Sequence, residues 1–302
     1  MPLVSVIIPA FNAAHYLEQT LTSVIQQSLT DFEVWIIDDG STDNTREIAQ
    51  AWVERDQRIH YFYQANQGVS ASRNHGIAQS TGEFIAFLDA DDLWYPDKLA
   101  LQVKHLQSNP GLGVSFGRVN FVTKEGQSLG QVSNSPLINL RPRDFLLGNP
   151  TTTSSNLLVR RDTLAEMGGF ALDMSYAEDL EWLLRVSCSQ KWQIEGIDQV
   201  LISYRTASDG LSSDLYQMEV DWEIFLEKAS VYAPELIQAD GSLARATHLR
   251  YLARRSLRLG LPPTVGLDFI GRAIKTDQRL WQQEPKQTLL TLIALYGKKW
   301  LF

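Results

Sequence analysis

Three carboxylates, Asp89, Asp91 and Asp92, stand directly behind the apolar run Phe84–Leu88. With no polar residue in it, the run reads as a strand buried on both faces. The acids then emerge at its C-terminal end, where open α/β sheets hold their ligands. Carboxylates this crowded repel one another unless a cation lies between them, and a hard divalent ion with oxygen ligands, Mg²⁺ or Mn²⁺, fits. The plain alternative is loop acids, with Asp92 starting a helix. Other chemistry-bearing residues fall at similar places. Pro9-Ala10-Phe11-Asn12 follows the first apolar run. There Phe11 can stack on a base, and Asn12 can bond a ligand or cap the next helix. Asp38-Asp39-Gly40-Ser41-Thr42-Asp43 follows the second run. Its two leading acids suit a base imide and a ribose, or the stretch serves a helix start with Ser41 or Thr42 as cap. In Asn66–Asn74, Gly68 permits a tight turn and Ser70 a cap. Arg73 faces a diphosphate, holds Asp89 or Asp91, or is simply solvated.

The elements that must position these residues alternate. Leu3–Ile8 is strand-like and ends at Pro9. Ala13–Gln27 carries a helical stripe, Phe32–Ile37 is a strand, Thr42–Arg55 a helix, Ile59–Tyr63 a strand and Ser70–Gln79 a helix. Alternation with short connections implies a parallel sheet covered by helices, which places all four strand-end segments on one edge. Beyond Pro96 the pattern is mixed. Asp97–Gln107 reads as a helix, Gly113–Thr123 and Ser128–Val132 as a hairpin, and Asn149–Ser155 as a Thr/Ser-rich loop. Asn156–Val159 reads as a strand, Leu180–Val186 as a helix and Val200–Tyr204 as a strand. From Leu215 the chain is helical, with breaks near Pro234, Gly260–Pro263 and Pro285. This suggests a catalytic domain over residues 1–206, with a loop and α-helical region over 207–302.

Composition narrows the class. Of 302 residues, 44% are hydrophobic and 21% charged, as in an ordinary globular protein. A net charge of −8 argues against nucleic acid as the main partner. The single cysteine, Cys188, excludes an intrachain disulfide and a cysteine-rich zinc site. The five histidines, His15, His60, His75, His105 and His248, show no zinc-ligand spacing. The start, MPLVSVIIPAFN, reads as a strand rather than a signal peptide, and no apolar stretch reaches the ~18 residues of a membrane span.

The order VSVIIPAFNAAHYLEQTLTSVIQQSLTDFEVWIIDDGSTDNT, NQGVSASRNHGI, TGEFIAFLDADD, AEDLEWLLR closely resembles the family 2 glycosyltransferases with the GT-A fold, over roughly Leu3–Arg205. The resemblance implies a Rossmann-like mixed sheet flanked by helices. It also implies an inverting transfer of a hexosyl or related sugar from a UDP-type donor to an acceptor hydroxyl. Pro9, Phe11, Asn12, Asp38 and Asp39 would then border the nucleotide, with Asp39 on the base edge. Arg73 would lie near the metal–diphosphate region. Asp89-Ala90-Asp91 matches the DxD motif, with Asp89 near the ribose, Asp91 ligating Mn²⁺ or Mg²⁺ and Asp92 in support. Asp179 matches the acceptor base, with Glu178 beside it, and Trp182, on the same helical face, is expected in the acceptor floor. The usual setting of relatives is polysaccharide or glycolipid assembly, with a glycan or lipid-linked acceptor, in the cytoplasm or at the inner face of the membrane.

Many relatives carry Tyr-Arg-x-His in a closing loop. Here Tyr204-Arg205-Thr206-Ala207 lacks the histidine, which leaves Arg205 as a phosphate candidate and Gly210 as a lid hinge. The loss motivates a second reading, a non-catalytic nucleotide-sugar-binding module. A nucleotidyltransferase ranks last, because no glycine- and lysine-rich triphosphate loop is visible. Arg245, Arg250, Arg254, Arg255 and Arg258 form a basic helical stripe, suited to an acidic partner, a membrane or plain solvent. Leu289–Tyr296, followed by Lys298, Lys299 and Trp300, either lies in a membrane interface or packs on the body of the protein.

Overall fold

The computed structural model describes residues 1–206 and 213–300, without the side chains of 298–300. The expected lid over Ala207–Asp214, with Gly210, falls almost wholly outside these residues. Two compact units emerge. The first comprises Met1–Arg141, Asn149–Asp173 and Arg185–Ala207, the second Pro142–Gly148, Met174–Leu184 and Ser208–Phe302.

The first unit opens with the expected alternation: β1 (Val4–Ala10), α1 (Leu17–Ile25), β2 (Phe32–Asp38), α2 (Thr45–Arg55), β3 (Ile59–Tyr63), α3 (Val69–Gln79) and β4 (Phe84–Phe87). β3, β2, β1 and β4 are parallel neighbours in that order. β4 and Leu88 are fully buried, as a strand covered on both faces must be. Next come β5 (Leu93–Trp94), α4 (Lys98–Ser108), β6 (Leu112–Val122) and β7 (Ser128–Val132). β6 and β7 form the antiparallel hairpin. After α5 (Pro142–Leu147), in the second unit, follow β8 (Leu158–Arg160), α6 (Arg161–Met167), α7 (Glu178–Cys188) and β9 (Gln193–Arg205). The sheet continues β4-β8-β6-β9-β5 with mixed directions.

Pro9 does not end β1. The strand runs on to Ala10, with Pro9 opposite Ile37 of β2. The carbonyl of Ile7 accepts from Leu88 N and that of Ala10 from Asp39 N. Odd-numbered residues of β1 thus face β4, and Pro9 points its missing N–H where β4 has already stopped pairing. Similarly, α3 lies so close on β1 that a Cβ at Gly76 would sit 2.4 Å from Ile7 Cγ2.

The second unit is helical: α8 (Leu215–Tyr232), α9 (Pro234–Arg258), α10 (Pro263–Thr276), α11 (Leu280–Gln283) and α12 (Pro285–Trp300), with α5. Prolines open α9 and α10, where their missing N–H is harmless. Asp214 caps α8 by accepting from Tyr216 N and Gln217 N. The core gathers Leu215, Met218, Leu249, Leu252, Phe269, Ile270 and Leu295. Among the described residues no helix is long and apolar enough to cross a membrane.

Candidate active site

The strand exits of the parallel half are latched to one another. Asp39 N donates to Ala10 O, and Gln64 N to Asp38 O, so consecutive loops leave the sheet side by side. Asn12, at φ 50°, accepts from Thr42 N at 2.9 Å, and its own N–H donates to Ser41 Oγ at 2.9 Å. It therefore ties the first loop to the second rather than capping α1, whose N-cap is Tyr16. Neither Ser41 nor Thr42 caps α2. Asp43 accepts from Thr45 N instead. Phe11 projects from this edge, 52% exposed.

Asp38 is fully buried, accepting from Ser41 N at 2.9 Å and from Tyr61 OH at 2.7 Å. Burial first, then the bond to Asp38, pushes the Tyr61 phenol up. Asp39 accepts from Gln64 Nε2, Gln67 N and Gly68 N at 2.8, 2.9 and 2.8 Å. A carboxylate has about four acceptor positions, so one remains. Gly68, at φ 90°, turns the chain into α3 through a conformation open to glycine, and Ser70 does not cap that helix.

Arg73 of α3 is 3% exposed, which removes the solvated alternative. Its Nη2 donates to Asp89 Oδ1 at 2.8 Å and to Ser154 Oγ at 2.7 Å. Asp89 N in turn donates to Ser155 Oγ at 3.0 Å. Asp89 thus has a cationic partner. Asp91 differs: among the described residues no side chain donates to its carboxyl. Burial first, then the charge of Asp89, pushes it up to about 6, with Arg205 opposing. Asp92 is fully buried and accepts from Arg205 N at 3.0 Å. Burial and the neighbouring Asp91 and Asp89 raise its carboxyl well above the usual range. Asp92 does not start a helix, since α4 begins at Lys98 and β5 intervenes.

Arg205, 3% exposed, corrects an expectation. Its Nε donates to Asp91 O, Nη1 to Lys124 O and Nη2 to Gln19 Oε1, each at 2.6 Å. With every guanidinium nitrogen on a protein acceptor, Arg205 braces the Asp91 loop and is not presented to phosphate. Among the described residues, no group of three His, Cys, Asp or Glu side chains forms a metal site by itself. The donor chemistry still fits a hard cation. Asp91 is a carboxyl to which no described side chain donates, beside a second charge, and the remaining ligands can come from phosphate and water.

Glu178, Asp179 and Trp182 lie in the second unit, in the first turns of α7. Ala177 enters that helix at φ 61°, unusual for a residue with a Cβ. Glu178 is buried and Asp179 half-buried. Trp182 is fully buried, so it is a core side chain and not an open floor. An indole at helical spacing packs inward unless something holds it out. Sequence reasoning missed Ser154, Ser155, Gln19 and Gln64. The signal was Thr151–Asn156, six small polar residues before a buried strand. Thr151, Thr153, Ser154, Ser155 and Asn156 all turn inward.

The Glycosyl transferase family 2 model matches residues 5–168. The chain belongs to this family. TuaG of Bacillus subtilis (strain 168), a glycosyltransferase named for teichuronic acid biosynthesis, is 30% identical over 229 residues, which is 75% of this chain and 88% of TuaG. The chain spans only 17% of an uncharacterized Rickettsia felis glycosyltransferase, 45% identical over 106 residues. Among solved structures, S. aureus TarS 1-349 in complex with UDP-GlcNAc superposes with TM-score 0.62 at 17% identity, over 92% of this chain and 91% of that one. The mannosyltransferase PcManGT from Pyrobaculum calidifontis, in complex with GDP-Man and Mn²⁺, gives 0.61 at 22% identity, over 98% and 86%. This family 2 glycosyltransferase has the GT-A fold, with a helical C-terminal part.

Proposed function

We propose that the chain is a metal-dependent, inverting transferase moving a sugar from a UDP-type nucleoside diphosphate to an acceptor hydroxyl. The observation that carries this reading is the contrast between two neighbouring acids. Asp89 is neutralised by Arg73, whereas Asp91 has no protein cation bonded to it and is pushed up to about 6. A carboxyl held in that state gains from a hard cation.

Each residue then has a defined task. Phe11 stacks on the base, and the open acceptor position of Asp39 takes the base edge. Asp38 is engaged with Ser41 and Tyr61 and shapes the loop. Arg73 and Ser154 hold Asp89 oriented toward the ribose. Asp91 would hold Mn²⁺ or Mg²⁺, while Asp92 and Arg205 fix its backbone. When bound, the ion supplies charge neutralisation for the departing nucleoside diphosphate. Asp179 is assigned the base on the family resemblance and its place at a helix N-terminus, where the carboxylate form is favoured. Attack from the face opposite the nucleotide inverts the anomeric centre. The acceptor on this reading is a polysaccharide or glycolipid, as the family resemblance implies, and the naming of TuaG for teichuronic acid biosynthesis supports the polysaccharide.

The test is a thermal-shift panel of nucleoside diphosphates and nucleotide sugars with and without Mn²⁺, followed by transfer assays on Asp179→Asn. A base-selective gain that needs the ion is expected. Asp179→Asn should keep that gain and lose transfer by roughly 10²–10⁴-fold. Wild-type transfer by Asp179→Asn would overturn the base assignment, and a gain indifferent to Mn²⁺ would overturn the role of Asp91.

A further inference from the structure

Charge is distributed unevenly along the chain. Residues 241–302 carry eleven Lys and Arg against three Asp and Glu, whereas residues 1–240 carry sixteen against thirty-two. The three acids of the C-terminal stretch are already taken: Asp268 pairs with Arg272, Asp277 with Arg279 and Glu284 with Arg250. Arg245 pairs with Glu223 of α8. The basic stripe of α9 is thus partly internal. Of its other arginines, Arg254 and Arg258 border a cavity at the C-terminal helix. Arg254 donates to the neutral Gln287 at 2.8 Å, and among the described residues neither has a carboxylate partner.

Beside these two arginines, α12 has two apolar faces. Thr288, Thr291 and Leu295 turn inward. Leu289, Leu290, Ile293 and Tyr296, at helical spacing, are 51%, 64%, 58% and 50% exposed. Arg254, Leu257 and Arg258 of α9, with Leu290, Thr291 and Ala294 of α12, line a cavity of about 210 Å³. Guanidinium groups with no described carboxylate partner and an exposed apolar ridge beside them are the two components of interfacial membrane binding.

We propose that the outward face of α12, with Arg254 and Arg258, seats on an anionic lipid surface. The helix lies in the plane of the headgroups with Leu290 and Ile293 among the acyl chains, and a lipid phosphate meets the arginines at the cavity. Charge complementarity selects this occupant. A symmetric pairing of two copies through this face would bring arginines with no described carboxylate partner against one another. The inference does not depend on the transferase reading, because its readout is binding alone.

The test is co-sedimentation of the full chain with vesicles of phosphatidylcholine alone or mixed with phosphatidylglycerol, at low and high salt. Partition onto the mixed vesicles, released by salt, is expected. Arg254→Gln/Arg258→Gln should weaken it about 25-fold, since each cation near such a surface is worth about fivefold. Leu290→Glu/Ile293→Glu should abolish it with an unchanged circular-dichroism spectrum. Equal binding to neutral vesicles, binding that survives either double substitution, or no binding at all overturns the proposal. So does concentration-dependent self-association lost in Leu290→Glu/Ile293→Glu, which would make a second copy the occupant.

Discussion

Asp89 and Asp91 are separated by one residue, yet their surroundings give them opposite characters. Arg73 and Ser154 satisfy Asp89, while Asp91 is pressed between burial and the charge of Asp89. A carboxyl raised to about 6 from an ordinary 3.8 makes the ionised form a burden on the folded state, and the burden is complete above pH 6. Asp91→Asn removes that burden. In EDTA at pH 7.5 the variant should therefore be more stable than wild type, by up to about 3 kcal/mol. It should also lose the Mn²⁺-dependent gain with nucleotide. A lower melting temperature in EDTA would show that Asp91 is not strained in this way. Arg73→Met should act in the reverse sense, leaving Asp89 without its counter-charge and costing about 2–4 kcal/mol in urea melts. The types and order of these acids were legible in the sequence. The division of labour between them was not, because it depends on Arg73 and Ser154, the latter 65 residues away in the chain.

The elements that deliver these side chains were legible where periodicity was strong. The four parallel strands and the helices between them appear within a few residues of expectation. The misses share a cause. β5 is two residues long, α5 and α6 are short, and β9 starts with polar residues such as Gln193 and Glu195, which join the sheet by pairing with Leu112 and Ser115 of β6. Apolar patterning carries no signal for such segments. Pro9 was misread for a related reason, since whether a strand tolerates proline depends on which neighbour its nitrogen faces. Close packing was equally invisible. α3, which carries Arg73, rests on β1 through Gly76, where a methyl group would collide with Ile7. Gly76→Ala should cost about 1–3 kcal/mol by overpacking. Displacing α3 should also weaken nucleotide-sugar binding, measured by calorimetry, although position 76 touches no ligand. Unchanged affinity with lowered stability would mean that Arg73 holds its place independently of the helix.

At the scale of the whole chain, acid and base are segregated, and so is the response to pH that follows. Acidification discharges the carboxylate-rich residues 1–240, relieving their mutual repulsion, but adds to the positive charge of residues 241–302. Within that stretch His248 is buried and stacked face to face on Trp222, centroids 4.1 Å apart. Burial, weakly opposed by a bond to the Met218 backbone, pushes its imidazole down from 6.5 to about 3. A depressed histidine stabilises the fold fully above its unfolded value, and that contribution falls away as pH drops from about 6.5 toward 3. By pH 5 the loss is about 2 kcal/mol, because the unfolded chain takes up the proton that the fold refuses. The helical unit should therefore be the part that acid loosens first. Between pH 7 and 5, hydrogen exchange should rise in α8 and α9 before it rises in β1 and β4. His248→Phe keeps an aromatic ring against Trp222 and cannot titrate. It should flatten the dependence of urea stability on pH over this range, even if the larger ring lowers stability at pH 7. Equal pH slopes in the two proteins, or exchange that begins in the sheet, would place the acid-sensitive group elsewhere.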